Sequence, residues 1–121
     1  MESTKSFRDL FVWQKAHNFV LSIYKNTESF PKNEMFGLTS QLRRASVSIV
    51  ANIVEGYKKK SKLDKLRFLN ISQGSLEETR YYLILVNDLK YLDSSELMIQ
   101  LEEVSKMLNS YCSKIIESRY Q

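Results

Sequence analysis

Six basic side chains within ten residues, Lys58, Lys59, Lys60, Lys62, Lys65 and Arg67, are the strongest chemical signal in this 121-residue chain. Ammonium and guanidinium groups at that density form an electrostatic footprint for phosphate backbones, with affinity that falls steeply as salt rises. Arg43 and Arg44 add charge further up the sequence, and Tyr57 and Phe68 flank the cluster. The same residues also read as a solvated turn whose lysines cap a helix C-terminus and keep the protein soluble. The positive surplus is local: residues 1–57 carry seven basic and five acidic side chains, residues 58–67 six and one, and residues 68–121 five and eight.

Other chemistries lack their parts. His17 is the only histidine, with no second histidine or cysteine at metal-ligand spacing, so neither a zinc site nor a hydrolytic triad is supported. No glycine-rich phosphate loop or nucleophile elbow is present. Glu77/Glu78 and Glu102/Glu103 are sequence neighbours, which on a helix point about 100° apart and cannot converge as acid and base. Glu55 and Glu78 are better placed as buried partners, but two carboxylates without histidines fall short of a di-iron site. A non-enzymatic protein without a cofactor or metal is expected.

These groups must be carried by helices. Three glycines and one proline leave few positions for tight turns. A first helix, about 9–28, is expected after Asp9 as N-cap, with Leu10, Trp13, His17, Val20, Tyr24 and Thr27 at three- and four-residue steps, and Pro31 beyond its end. A second, about 36–57, ends near Gly56 and the lysine run. A third, about 62–90, opens on the capping signal Ser61-Lys62-Leu63-Asp64 and carries Leu69, Ser72, Leu76, Thr79, Leu83 and Val86 on one face. Gly74 within it suggests close approach of another backbone. A fourth, about 94–118, starts at Asp93-Ser94-Ser95-Glu96 and faces inward with Leu97, Leu101, Val104, Leu108, Tyr111 and Ile115. Four amphipathic helices with short connections bury these faces most simply as an all-α, up-down-up-down four-helix bundle in a single domain.

The second helix has too many faces for a lone bundle. Leu38, Leu42, Ile49 and Ile53 form a core stripe, while Phe36, Val47, Val50, Val54 and Tyr57 form another roughly opposite. Self-association would cover that second set; burial of both faces within one chain is the alternative. Between them Gln41, Ala45, Ser48, Asn52 and Glu55 fall within about 80° of arc. That stripe reads either as a site for a polar ligand or as hydrogen bonding that fixes helix register. Cys112 is the only cysteine and suits helix packing in a reducing compartment. With no apolar run long enough for a signal or membrane helix, a cytoplasmic protein without membrane contact is expected.

Several blocks resemble one family in nearly the whole chain. They are Val12-Trp13-Gln14-Lys15-Ala16, Phe30-Pro31 with Glu34 and Gly37-Leu38, Gln41-Leu42-Arg43-Arg44-Ala45, Ser48-Ile49, Ala51-Asn52-Ile53, Glu55-Gly56, Phe68-Leu69, Ile71, Gly74-Ser75-Leu76 and Glu78. They are similar to the 23S rRNA-intervening sequence proteins, to which the accessory variability determinant of diversity-generating retroelements is related. Val50 departs from the pattern, since such proteins often place proline there. The resemblance implies a four-helix subunit in a ring-like homopentamer with a basic surface for nucleic acid and no known catalytic activity. The resulting expectation is a homo-oligomer that contacts structured RNA or RNA–DNA through Arg43, Arg44, Lys58, Lys59, Lys60, Lys62, Lys65 and Arg67. A protein–protein scaffold, or an accessory subunit docking a partner such as a reverse transcriptase, is the alternative. A small-molecule binder using Gln41, Ser48, Asn52 and Glu55 is a third reading.

Overall fold

A computed structural model describes residues 4–118. Four helices, α1 (Phe11–Thr27), α2 (Leu38–Lys58), α3 (Lys62–Asp88) and α4 (Ser95–Glu117), pack as a four-helix bundle in which each touches its two neighbours around a square. Short 3-10 turns at Phe7–Asp9 and Lys32–Glu34 precede α1 and α2. No strand occurs among the described residues.

One apolar seam runs through the centre. α2 contributes Leu42, Ile49 and Ile53, α3 Leu69, Leu76, Leu83 and Val86, and α4 Leu97, Leu101, Val104 and Leu108, all buried as their helical spacing predicts. Each such side chain is worth about 1.5–3 kcal/mol when fully buried. In α1 the buried stripe is Val12, Ala16, Phe19, Ile23 and Thr27, about one residue around the helix from the expected one. Both stripes have the helical period; the aliphatic side chains with Phe19 take the centre, and the larger rings take the flank. Trp13 there stacks on His17 at 4.9 Å and meets the edge of Phe7 at 5.3 Å.

The helix ends differ from expectation where side chains found other work. Asp9 does not cap α1: its carboxylate accepts from the N–H groups of Lys5 and Ser6 and closes the first 3-10 turn, and Leu10 occupies the N-cap. Ser61 caps α3 as expected, its Oγ accepting from the N–H of Asp64 at 3.1 Å. At α4 the N-cap residue Ser94 turns inward and donates to the carbonyl of Leu83 at 2.8 Å, while Asp93 accepts from the N–H and hydroxyl of Ser95. Those bonds hold the Asp93 carboxyl below its ordinary pKa. α3 stops in a Schellman motif, Tyr91 N–H to Val86 O and Lys90 N–H to Asn87 O, with Lys90 left-handed at φ 62°.

Two glycines exchange roles. Gly56 lies inside α2, two residues before its end, where an added Cβ would sit 3.2 Å from both Leu69 Cγ and the Lys65 carbonyl oxygen. The close approach expected at Gly74 is therefore at Gly56: a Cβ at Gly74 meets nothing within 4 Å.

Candidate nucleic-acid interface

The α2–α3 turn is short because both helix ends are satisfied locally. Lys59 leaves the helix in extended backbone, and Ser61 begins the next one. The ammonium of Lys65 donates to the carbonyls of Tyr57, at 2.8 Å, and Gly56, at 3.4 Å, serving the last orphan acceptors of α2. Its partial burial lowers its pKa. Lys59 lies 4.8 Å above the Phe68 ring and 3.7 Å from Glu55, Arg67 pairs with Asp64 at 2.9 Å, and Lys62 donates to the carbonyl of Ser118 at 2.9 Å. These four cations shape the turn. Lys58 and Lys60 project into solvent with no partner among the described residues.

Bundle topology brings further cations to this end. The segment before α1 reaches the end of α2 through a 2.9 Å hydrogen bond between the hydroxyls of Thr4 and Tyr57, and the end of α4 is tied there by Lys62. Lys5, Arg8 and Lys114 thereby join the six basic residues of the turn, against the carboxylates Asp9, Glu55, Asp64 and Glu117. The opposite end, built from residues 24–40 and 84–97 with the Arg43 guanidinium held at Thr27 and Tyr24, carries Lys25, Lys32, Arg43 and Lys90 against Glu28, Glu34, Asp88, Asp93 and Glu96. The bundle is thus strongly positive at one end and close to balanced at the other. The sequence reading omitted Lys5, Arg8 and Lys114, although an antiparallel four-helix order already places the first helix's start and the fourth helix's end beside the second turn.

Arg43 and Arg44 stand apart from this surface. Arg44 is exposed about 21 Å along the α2 axis from Lys58, fourteen residues at 1.5 Å each. Arg43 is a strut between α1 and α2: its Nε donates to Thr27 Oγ1 at 2.8 Å, and its guanidinium lies 4.6 Å over the Tyr24 ring. Its work is internal to the bundle.

The polar stripe of α2 divides. Ser48 shares a 2.7 Å hydrogen bond with Ser75 of α3, and the Asn52 amide donates to the Ser48 carbonyl at 2.8 Å and hydroxyl at 3.1 Å. These groups fix the α2–α3 register. Gln41 and Glu55 are exposed and do not join them, and Glu78, expected as a buried partner, is exposed and accepts from Tyr82 Oη at 2.8 Å. The second apolar set also divides. Phe36 is 95% exposed and Val47 40% exposed, whereas Val54 and Tyr57 are half-buried and Val50 packs against the core. Val50, seven residues beyond Arg43, lies on the α1-facing side of α2.

Among the described residues no group of three or more His, Cys, Asp and Glu is placed to hold a metal ion, and no helix is long and apolar enough to cross a membrane. Fold and surface together define a small antiparallel four-helix-bundle protein with one strongly basic end. The chain belongs to the family described as 23S rRNA-intervening sequence protein, which it matches over residues 8–110. Among solved structures it is similar to a protein of unknown function from the S23 ribosomal protein family of Bacteroides thetaiotaomicron. The two are 26% identical, the match covers 84% of this chain and 95% of that one, and the TM-score is 0.75. No curated protein matches the chain.

Proposed function

We propose that this chain is a non-enzymatic, oligomeric nucleic-acid-binding protein whose basic bundle end grips the backbone of structured RNA or an RNA–DNA hybrid. The observation that carries this reading is the convergence of Lys5, Arg8 and Lys114 with the lysine turn, against a nearly balanced opposite end. Contacts from lysines to phosphates carry no sequence information, so recognition through this end follows backbone shape. The exposed Phe36 and Val47 support self-association, in keeping with the pentameric ring that the family resemblance implies. Several copies would present several basic ends to one polyanion and multiply its hold.

Lys58→Gln with Lys60→Gln is the direct test, read as duplex-RNA affinity across a salt series. Two lost phosphate contacts lower the log–log slope by about two and weaken binding most at low salt. An unchanged slope and affinity would take these lysines out of the interface. For assembly, Val47→Glu is expected to yield smaller particles by light scattering with full helical circular dichroism; particles of unchanged size would move the subunit contact elsewhere.

The exposed Phe36 also favours a second reading, an accessory subunit or scaffold that docks a protein such as a reverse transcriptase. On that reading the lysines only solubilise, and duplex RNA binds negligibly near physiological salt.

A further inference from the structure

Beside the basic end, the segment before α1 and the first turn of α1 stand away from α4 and leave a groove of about 900 Å³. Its floor is apolar, from Leu10, Phe11, Met107 and Tyr111. Phe11 is 74% exposed although it begins a helix, and neither its ring nor that of Tyr111 is stacked on another aromatic among the described residues. Burial raises the Tyr111 pKa.

One wall is a row along α4. Lys106, Ser110 and Lys114 follow at four-residue steps, which place successive side chains about 6 Å apart on one helix face. Lys5 stands on the opposite wall. The one carboxylate of the lining, Asp9, is held by the backbone N–H groups of Lys5 and Ser6 at 2.8 and 3.3 Å. The groove therefore combines a row of cations with an unstacked aromatic floor.

We infer that this groove binds an unpaired stretch of RNA, its phosphates along Lys106 and Lys114 and a base laid on Phe11. The inference rests on the nucleic-acid reading above and adds to it a place where unpaired nucleotides are held beside a duplex. Base stacking on aromatic side chains tolerates any sequence, because every base has a π-face. Charge complementarity selects the occupant: a chain carrying one negative charge per residue with a flat apolar group on each matches both features of the lining.

The test uses the full chain and two labelled eight-residue oligonucleotides, oligouridylate and an abasic chain of equal charge. Oligouridylate is expected to bind about tenfold more tightly. Phe11→Ala should remove most of that preference and leave abasic affinity unchanged, whereas Phe11→Trp should keep it; Lys106→Gln with Lys114→Gln should weaken both ligands and flatten their salt dependence. Equal affinity for the two oligonucleotides, or a preference that survives Phe11→Ala, would overturn the assignment. Displacement of oligouridylate by a lower concentration of an acidic amphipathic peptide would give the groove to a protein instead. Duplex RNA measured in parallel separates the two claims: salt-dependent duplex binding without a base preference removes the groove alone, and loss of both removes the broader reading too.

Discussion

Two antiparallel helix pairs of the same bundle are packed in different ways. Along α2 and α3 small residues draw the backbones together: Gly56 admits Leu69 and the Lys65 carbonyl, Ser72 donates to the Ile49 carbonyl at 2.7 Å, and Ser48 meets Ser75. Along the start of α1 and the end of α4, Phe11, Met107, Lys106 and Lys114 line a groove of about 900 Å³. Small polar residues thus mark the closed seam, where hydrogen bonds are internal and fix register. Large and charged residues mark the open one, where surface is left for a ligand. The polar stripe of α2, which in the sequence reads as either a ligand site or a register device, is mainly structure, and the groove is hidden from the sequence because its walls come from opposite ends of the chain.

Substitutions in the closed seam carry the largest expected effects. Gly56→Val puts a branched side chain where a Cβ alone would stand 3.2 Å from the Lys65 carbonyl oxygen and Leu69 Cγ, and should lower stability by about 3 kcal/mol in denaturant unfolding. A loss near zero would mean that α2 and α3 separate more easily than this packing implies. Ser72→Ala removes a buried side-chain hydrogen bond and should cost about 1–1.5 kcal/mol by the same measurement. Gly74→Ala, on the exposed side of α3, should instead stabilise by about 0.8 kcal/mol, since helix propensity improves and nothing obstructs the methyl. Destabilisation there, together with a smaller particle, would reveal a second copy packed on that face.

The open seam should barely respond in stability. Lys106→Gln with Lys114→Gln is expected to change stability by less than about 0.5 kcal/mol, because both lysines are exposed on the groove rim. A larger loss would make those lysines part of the bundle's packing.

Periodicity made most of the fold legible. The core stripes of α3 and the first two-thirds of α4 follow from leucine and valine spacing, as does the inner face of α2. α1 was harder because Trp13, His17, Val20 and Tyr24 repeat with the same period as the residues that are buried, and only tertiary packing selects between the two sets. The basic turn was legible as a charge run, but not its division of labour. Lys59, Lys62, Lys65 and Arg67 each found a carbonyl, ring or carboxylate within reach, which depends on where neighbouring elements end. Arg43 was misplaced for the same reason: its partners Thr27 and Tyr24 lie in another helix. The cations that complete the basic end, Lys5, Arg8 and Lys114, become neighbours of the turn only once the helices are antiparallel.

The meeting of RNA with one end of the bundle is tested most directly by ultraviolet crosslinking of the full chain to a duplex with an unpaired tail, mapped by mass spectrometry. Crosslinked peptides should cluster in residues 5–11, 58–67 and 106–114, with the tail attached at Phe11 or Tyr111. Crosslinks concentrated on the opposite end, around residues 88–96, or spread evenly over the four helices, would contradict it.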